Sequence, residues 1–186
     1  MNHQGTKTIL TSRLILRRFQ PEDADAAYRN WCSSDQVTRF LTWSTHSNVN
    51  VTRSVIDDWV TSYQDPRSYQ WAIELQELCE PIGSISVVNV DDDVDAIEIG
   101  YCLGQPWWHR GIMTEALAAV TNYFFEEVCA NRVCAKHDAD NPRSGAVMKA
   151  CGLTYEGTLR QAHRNNQGIV DTCVYSILRS EWQELI

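Results

Sequence analysis

The chain has 186 residues with 44% apolar and 22% charged side chains, 5 Pro and 9 Gly, the size and balance of one folded domain rather than a disordered or linker-rich polypeptide. A formal charge of −8 with no basic run longer than Arg17-Arg18 excludes the clustered cations that a nucleic-acid partner requires, and it favours cationic substrates and basic proteins. The most apolar stretch, 116–128, is broken by Thr121, Asn122, Glu126 and Glu127, and the first eight residues carry no apolar leader segment; the expectation is a cytoplasmic protein without membrane contact, residues 1–7 forming a loose tail.

In chain order, 8–18 reads as a strand with Leu14 and Leu16 on one face. Pro21-Glu22-Asp23 opens a helix, because proline suits the first turn and acids suit its positive end. Val55, Ile56, Trp59, Val60 and Tyr63 recur at helical spacing over 50–63. Strands follow at 69–75 and 82–90, and Asp91-Asp92-Asp93 reads as an exposed hairpin turn. In the strand 96–103, Ile97, Ile99, Tyr101 and Leu103 share one face, and Glu98, Gly100 and Cys102 share the other. The first face reads as core. The second, small apart from one carboxylate, reads as a place where a ligand lies close to the backbone. A helix over 114–128 buries Leu117, Val120, Phe124 and Val128. A strand at 132–136, a helix at 142–150 and strands at 154–162 and 170–178 complete a mixed α/β or α+β sheet architecture. The seven cysteines (Cys32, Cys79, Cys102, Cys129, Cys134, Cys151, Cys173) are odd in number and form no CxxC pair, which argues for reduced thiols and against a zinc site.

The segment Gly104-Gln105-Pro106-Trp107-Trp108-His109-Arg110-Gly111-Ile112-Met113 joins a strand to a helix. Glycine just before a helix leaves backbone N–H groups free at its positive end, a natural phosphate site, to which Arg110 adds a charge. The sequence is neither a Walker A loop nor a GxGxxG fingerprint. Taken alone, it also fits an ordinary turn.

The run EIGYCLGQPWWHRGIMTEAL resembles motif A of the GNAT acetyltransferases. It is most similar to the branch that acetylates ribosomal-protein N-termini, whose pattern reads E-I-G-Y-x-L…W-x-x-G-x-A-T-E-A. NPRSGAVMKACGLTYEGTLR resembles the same branch's N-x-x-S-x-x-x-x-x-x-x-G-F-x-x-E-G, and TSRLILRRFQPEDA and VDTCVYSILRSEW are similar to its two ends. The likeness runs from about residue 11 to 182. It implies one domain over 1–186 with a central, mixed, mostly antiparallel sheet of about seven strands flanked by about four helices. It also implies acetyl-CoA as co-substrate, no metal, and direct attack of an amine on the thioester in a ternary complex. Implied cofactor contacts are Tyr101, Cys102, Leu103, Trp108, His109, Arg110, Gly111, Ile112, Met113, Thr114, Asn141 and Ser144.

Roles divide as follows. Glu98 is the first candidate for general base, or else a carboxylate on a solvated face. His163 stands where relatives often carry a catalytic carboxylate and titrates near neutrality, or is a surface residue in a strand-end loop. Asn141 before Pro142 reads as a helix N-cap, and the resemblance adds a contact with the CoA arm. Ser144 resembles the branch serine proposed to protonate the CoA sulfur, or is an exposed helix serine. His109 reads as a rim residue, and Cys102 and Cys151 as packing. The sequence departs from the superfamily at Trp108 (usually Gln or Arg), at Met113 (usually Gly or Ala) and at Met148, where many relatives place a tyrosine acid. The acceptor expected from the branch is a protein N-terminal α-amine, whose lower pKa makes it about 3 kcal/mol easier than lysine to deprotonate at neutral pH. A polyamine or aminoglycoside acceptor, or a CoA-binding sensor without turnover, stays open. So does the oligomeric state.

Overall fold

The computed structural model describes residues 1–184. Among these residues an eight-stranded sheet runs in the order β1-β2-β3-β4-β5-β6-β8-β7. Its strands are β1 (Ile9–Leu10), β2 (Leu14–Arg17), β3 (Gln70–Leu75), β4 (Glu80–Asp91), β5 (Ala96–Leu103), β6 (Arg132–Asp138), β7 (Thr154–Asn165) and β8 (Gly168–Leu178). All neighbours pair antiparallel except β5 and β6. The mixed, mostly antiparallel sheet is the expected one. The expected first strand, however, is two: Thr11, Ser12 and Arg13 turn the chain between β1 and β2, because their donors are drawn onto Glu115.

Among the described residues six α-helices cover the sheet: α1 (Ala24–Ala27), α2 (Asp35–Thr38), α3 (Val49–Ser62), α4 (Ile112–Glu126), α5 (Pro142–Ala150) and α6 (Arg179–Gln183). On one face, α4 buries Leu117, Val120 and Phe124 completely. The spacing of these three keeps them on one stripe, over Leu14, Leu16, Ile73, Ile97, Ile99 and Val133. On the other face, α1 and α3 with the turn after α1 enclose a second cluster around Phe19, Trp31, Cys32, Ile56, Ala72 and Cys102. The two layers leave the middle of the sheet between them. No helix among the described residues is long and apolar enough to cross a membrane.

Residues 1–7 are not loose. Asn2 N–H donates to the Val128 carbonyl at 2.7 Å and Gly5 N–H to that of Pro66 at 2.7 Å. Tyr123 Oη donates back to Gly5 at 2.7 Å, and Thr6 is 2% exposed. The segment lies across the aromatic group Tyr69, Trp71, Tyr123 and Phe124, whose hydroxyls and indole N–H need partners when buried.

Candidate active site

Strand pairing sets the geometry of the site. β5 and β6 run side by side only from Ala96 opposite Arg132 to Ile99 opposite Ala135. Beyond Ile99, β5 continues against β4 alone, through Gly100 opposite Ser86 to Leu103 opposite Gly83, while β6 continues against β8 to Asp138. The two strands therefore part in the middle of the sheet. The β6-facing backbone edge of 100–103 lacks a strand partner, and an extended ligand can take that place.

The β5 faces differ from the sequence expectation. The space over Gly100 is filled: an extra residue in β4 between Val87 and Asn89 shifts the register, and a Cβ on Gly100 would stand 2.8 Å from Val88 Cγ1. Cys102 is buried in the second core cluster with its thiol 3.3 Å from Ser84 Oγ, and burial raises its pKa. Its side chain is therefore closed to a ligand. The backbone is reached through the gap between the strands and not over the face. Leu103 also turns its side chain into the core, and its carbonyl accepts from Trp108 Nε1 at 2.7 Å.

The turn into α4 has the polarity of an anion site. His109 and Gly111 both sit in the left-handed region, at φ 62° and 70°. For His109 that conformation carries strain of about 1–2 kcal/mol. Gly111 is the N-cap and supplies no side-chain bond to the helix. Glu115 N–H is the donor that returns to the Gly111 carbonyl, so the N–H groups of Ile112, Met113 and Thr114 precede the first helical bond and need an outside acceptor. Successive N–H groups around left-handed residues also form anion-binding concavities. His109, Arg110 and Gly111 are exposed. Met113, which departs from the usual Gly or Ala, is 6% exposed and packed in the core, as is Ile112.

α5 flanks the gap from the other side. Tyr101 Oη lies 2.9 Å from Ser144 Oγ and donates to the Ser144 carbonyl at 3.1 Å, and burial raises the tyrosine's pKa. Arg143 stacks its guanidinium over Trp108 at 5.8 Å, linking α5 to the turn. Asn141 occupies the N-cap position, but its side chain makes no capping bond. Its ψ of 64° departs from the extended backbone that aims a cap at the helix, and only its carbonyl serves, accepting from Ser144 N–H at 3.1 Å. Met148 is 1% exposed and belongs to the core.

Glu98 lies on the opposite sheet face from Tyr101, beside the last paired residues of β5 and β6, and its carboxylate accepts from Lys136 Nζ at 2.7 Å. His163 is not in a strand-end loop but within β7, opposite Val170, exposed and three strands removed from β5. The structure thus brings together β5, the turn and the N-terminus of α5, with Glu98 beneath them and His163 apart. Sequence reasoning missed three features: Lys136, whose alternation with Cys134 was visible; the Tyr101–Ser144 contact; and the ring of donors on Glu115.

The family described as acetyltransferase (GNAT) domain matches residues 13–154. The uncharacterised N-acetyltransferase YoaA of Bacillus subtilis (strain 168) is 32% identical over 91% of this chain and 95% of its own length. The ribosomal-protein-serine acetyltransferase of Escherichia coli (strain K12) is 30% identical over 67% of this chain and 69% of its own. Among solved structures, RimL, a ribosomal L7/L12 alpha-N-protein acetyltransferase in complex with coenzyme A, has the same fold, with a TM-score of 0.83 at 23% identity over 92% of this chain and 98% of that one. The chain belongs to the GNAT acetyltransferase family and is an N-acetyltransferase.

Proposed function

We propose that this chain, as one domain over 1–186, transfers the acetyl group of acetyl-CoA to the N-terminal α-amine of a protein, a basic ribosomal protein fitting best. The observation that carries the donor half is the parting of β5 and β6 beside a helix N-terminus whose first N–H groups have no internal acceptor. An extended pantetheine arm adds to the free edge of 100–103, and the pyrophosphate sits on the 109–114 turn. The residues fit CoA, and the group supplies a thioester.

The gap joins the two faces of the sheet. The amine approaches from the Glu98 face, and the thiolate leaves toward Tyr101 and Ser144. As the C–N bond forms and the C–S bond breaks, Glu98 takes the amine proton directly or through water. Ser144 Oγ donates a hydrogen bond to the departing sulfur, with Tyr101 Oη as its neighbour at 2.9 Å. Burial raises the Tyr101 pKa, which makes it a poor proton source. The pair stabilises the thiolate by hydrogen bonding; Glu98 passes the amine proton to solvent, and the thiolate takes its proton from solvent. His163 has no role in this scheme.

An α-amine suits this site because little basicity is needed to free it at neutral pH, and a chain carrying −8 attracts a cationic terminus. The test is thiol release from acetyl-CoA with two basic peptides of one sequence. One has a free Ser or Ala terminus; the other is blocked there and carries a free lysine. Faster turnover of the first is expected. Equal or faster turnover of the blocked peptide refutes the α-amine assignment, and activity confined to polyamines or aminoglycosides moves the acceptor to small molecules.

A further inference from the structure

The β1–β2 turn is fastened to the first turn of α4 by a group of bonds that the reaction itself does not use. Glu115 Oε1 accepts from Thr11 Oγ1 at 2.6 Å, Ser12 Oγ at 3.0 Å and Arg13 N–H at 3.0 Å, and its Oε2 accepts from Arg13 Nε at 2.6 Å. Burial pushes the Glu115 carboxyl up, but these bonds outweigh it and hold the pKa at about 2. Arg13 then reaches further: its Nη1 donates to the Arg110 carbonyl at 2.8 Å. Its Nη2, used in neither bond, lies 3.6 Å from where a Cβ on Gly111 would stand.

That carbonyl belongs to the Arg110–Gly111 peptide, which lies between the two left-handed residues of the turn, His109 and Gly111. A trans peptide is planar and carries its C=O and N–H on opposite sides. Pinning the Arg110 oxygen toward Arg13 therefore points the Gly111 N–H the other way, out of the turn. A second consequence is electrostatic. A carboxylate in the first turn of a helix suits the helix dipole but repels an anion bound there. The Arg13 guanidinium, 2.6 Å from that carboxylate, cancels the repulsion.

We propose that Arg13, held by Glu115, is a positioning residue for the donor: it sets the backbone of the 109–114 turn and neutralises Glu115, so that the turn accepts a pyrophosphate. This rests on the assignment of the turn as the pyrophosphate site. The test compares kcat/KM for acetyl-CoA with kcat/KM for acetyl-pantetheine, which has the same thioester and no pyrophosphate. In Arg13→Ala the ratio falls about tenfold. In Arg13→Lys, which keeps the charge but lacks the rigid planar fork that spans the carbonyl and Glu115, it falls about threefold. A merely structural role lowers both constants alike and leaves the ratio where it was; that result in folded Arg13→Ala, confirmed by circular dichroism, overturns the proposal. If Arg13→Ala does not fold, an unchanged ratio in Arg13→Lys does the same. Gly111→Glu separates the two readings. If it too leaves the ratio intact, the turn is not the pyrophosphate site; if it collapses the ratio while the Arg13 variants do not, the turn stands and the role of Arg13 falls.

Discussion

Substitution of Gly111 tests the turn proposed to hold the pyrophosphate of the donor. Its φ of 70° is in the left-handed region, which costs an L-residue about 1–2 kcal/mol. A Cβ there meets Arg13 Nη2 at 3.6 Å and nothing nearer, so alanine adds backbone strain without a steric clash. For a chain of this length the penalty lowers Tm by roughly 2–8 °C. Glutamate carries the same backbone penalty and adds one negative charge. At about 6 Å from a pyrophosphate bearing two charges, with an effective dielectric constant of about 40–80, the repulsion is about 1.5–3 kcal/mol. That is a loss of roughly ten- to hundredfold in affinity. The two variants should therefore melt together and bind differently: Gly111→Ala within about threefold of wild type by calorimetry with acetyl-CoA, Gly111→Glu ten- to hundredfold weaker. Raising ionic strength from about 0.05 to 0.5 M should recover part of the glutamate loss and none of the melting loss. A Gly111→Glu protein that melts with Gly111→Ala and binds acetyl-CoA like wild type refutes the assignment of the turn.

Two further outcomes follow from side-chain environments. Cys79 and Cys129 are exposed, whereas burial raises the pKa of Cys32, Cys102, Cys134 and Cys151, the last to about 11; a thiol reagent at pH 7.5 should label two sites quickly in the native protein, and four or more fast sites contradict the packing. Glu156 is held at about 2 by bonds from Arg132 and Ser176, and Glu115 at about 2 by bonds from Thr11, Arg13 and Ser12 against the opposing effect of burial; because both folded values are depressed, their stabilisation is present above the ordinary carboxylate value of about 4.3 and is lost as pH falls from there toward 2, so urea midpoints should drop over that window, less steeply in Glu156→Gln, and a flat midpoint from pH 5 to 3 refutes the reasoning.

What the sequence determined by itself was local or periodic. Leu14 and Leu16, Ile97 and Ile99, and Leu117, Val120 and Phe124 all lie in the core as their spacing predicts, because an element's period fixes which side chains share a face. The glycine before α4 announced a backbone turn, since the demand for a positive φ is a property of one residue. Only the tertiary structure decided matters that join distant parts of the chain. The strand expected over 8–18 is interrupted because Glu115, about a hundred positions away, collects the donors of Thr11, Ser12 and Arg13. The face of Gly100 and Cys102 reads as open along β5 and is closed by Val88 and the N-terminal helices. Asn141 has the identity of a cap and the wrong ψ for one. Residues 1–7 are polar enough to read as a tail, yet their hydrogen bonds complete Tyr69, Trp71 and Tyr123. His163, a candidate base by resemblance, stands on the edge strand. The gap between β5 and β6, on which the proposed site rests, has no signature in either strand, because it depends on where two strands cease to pair and not on what either contains.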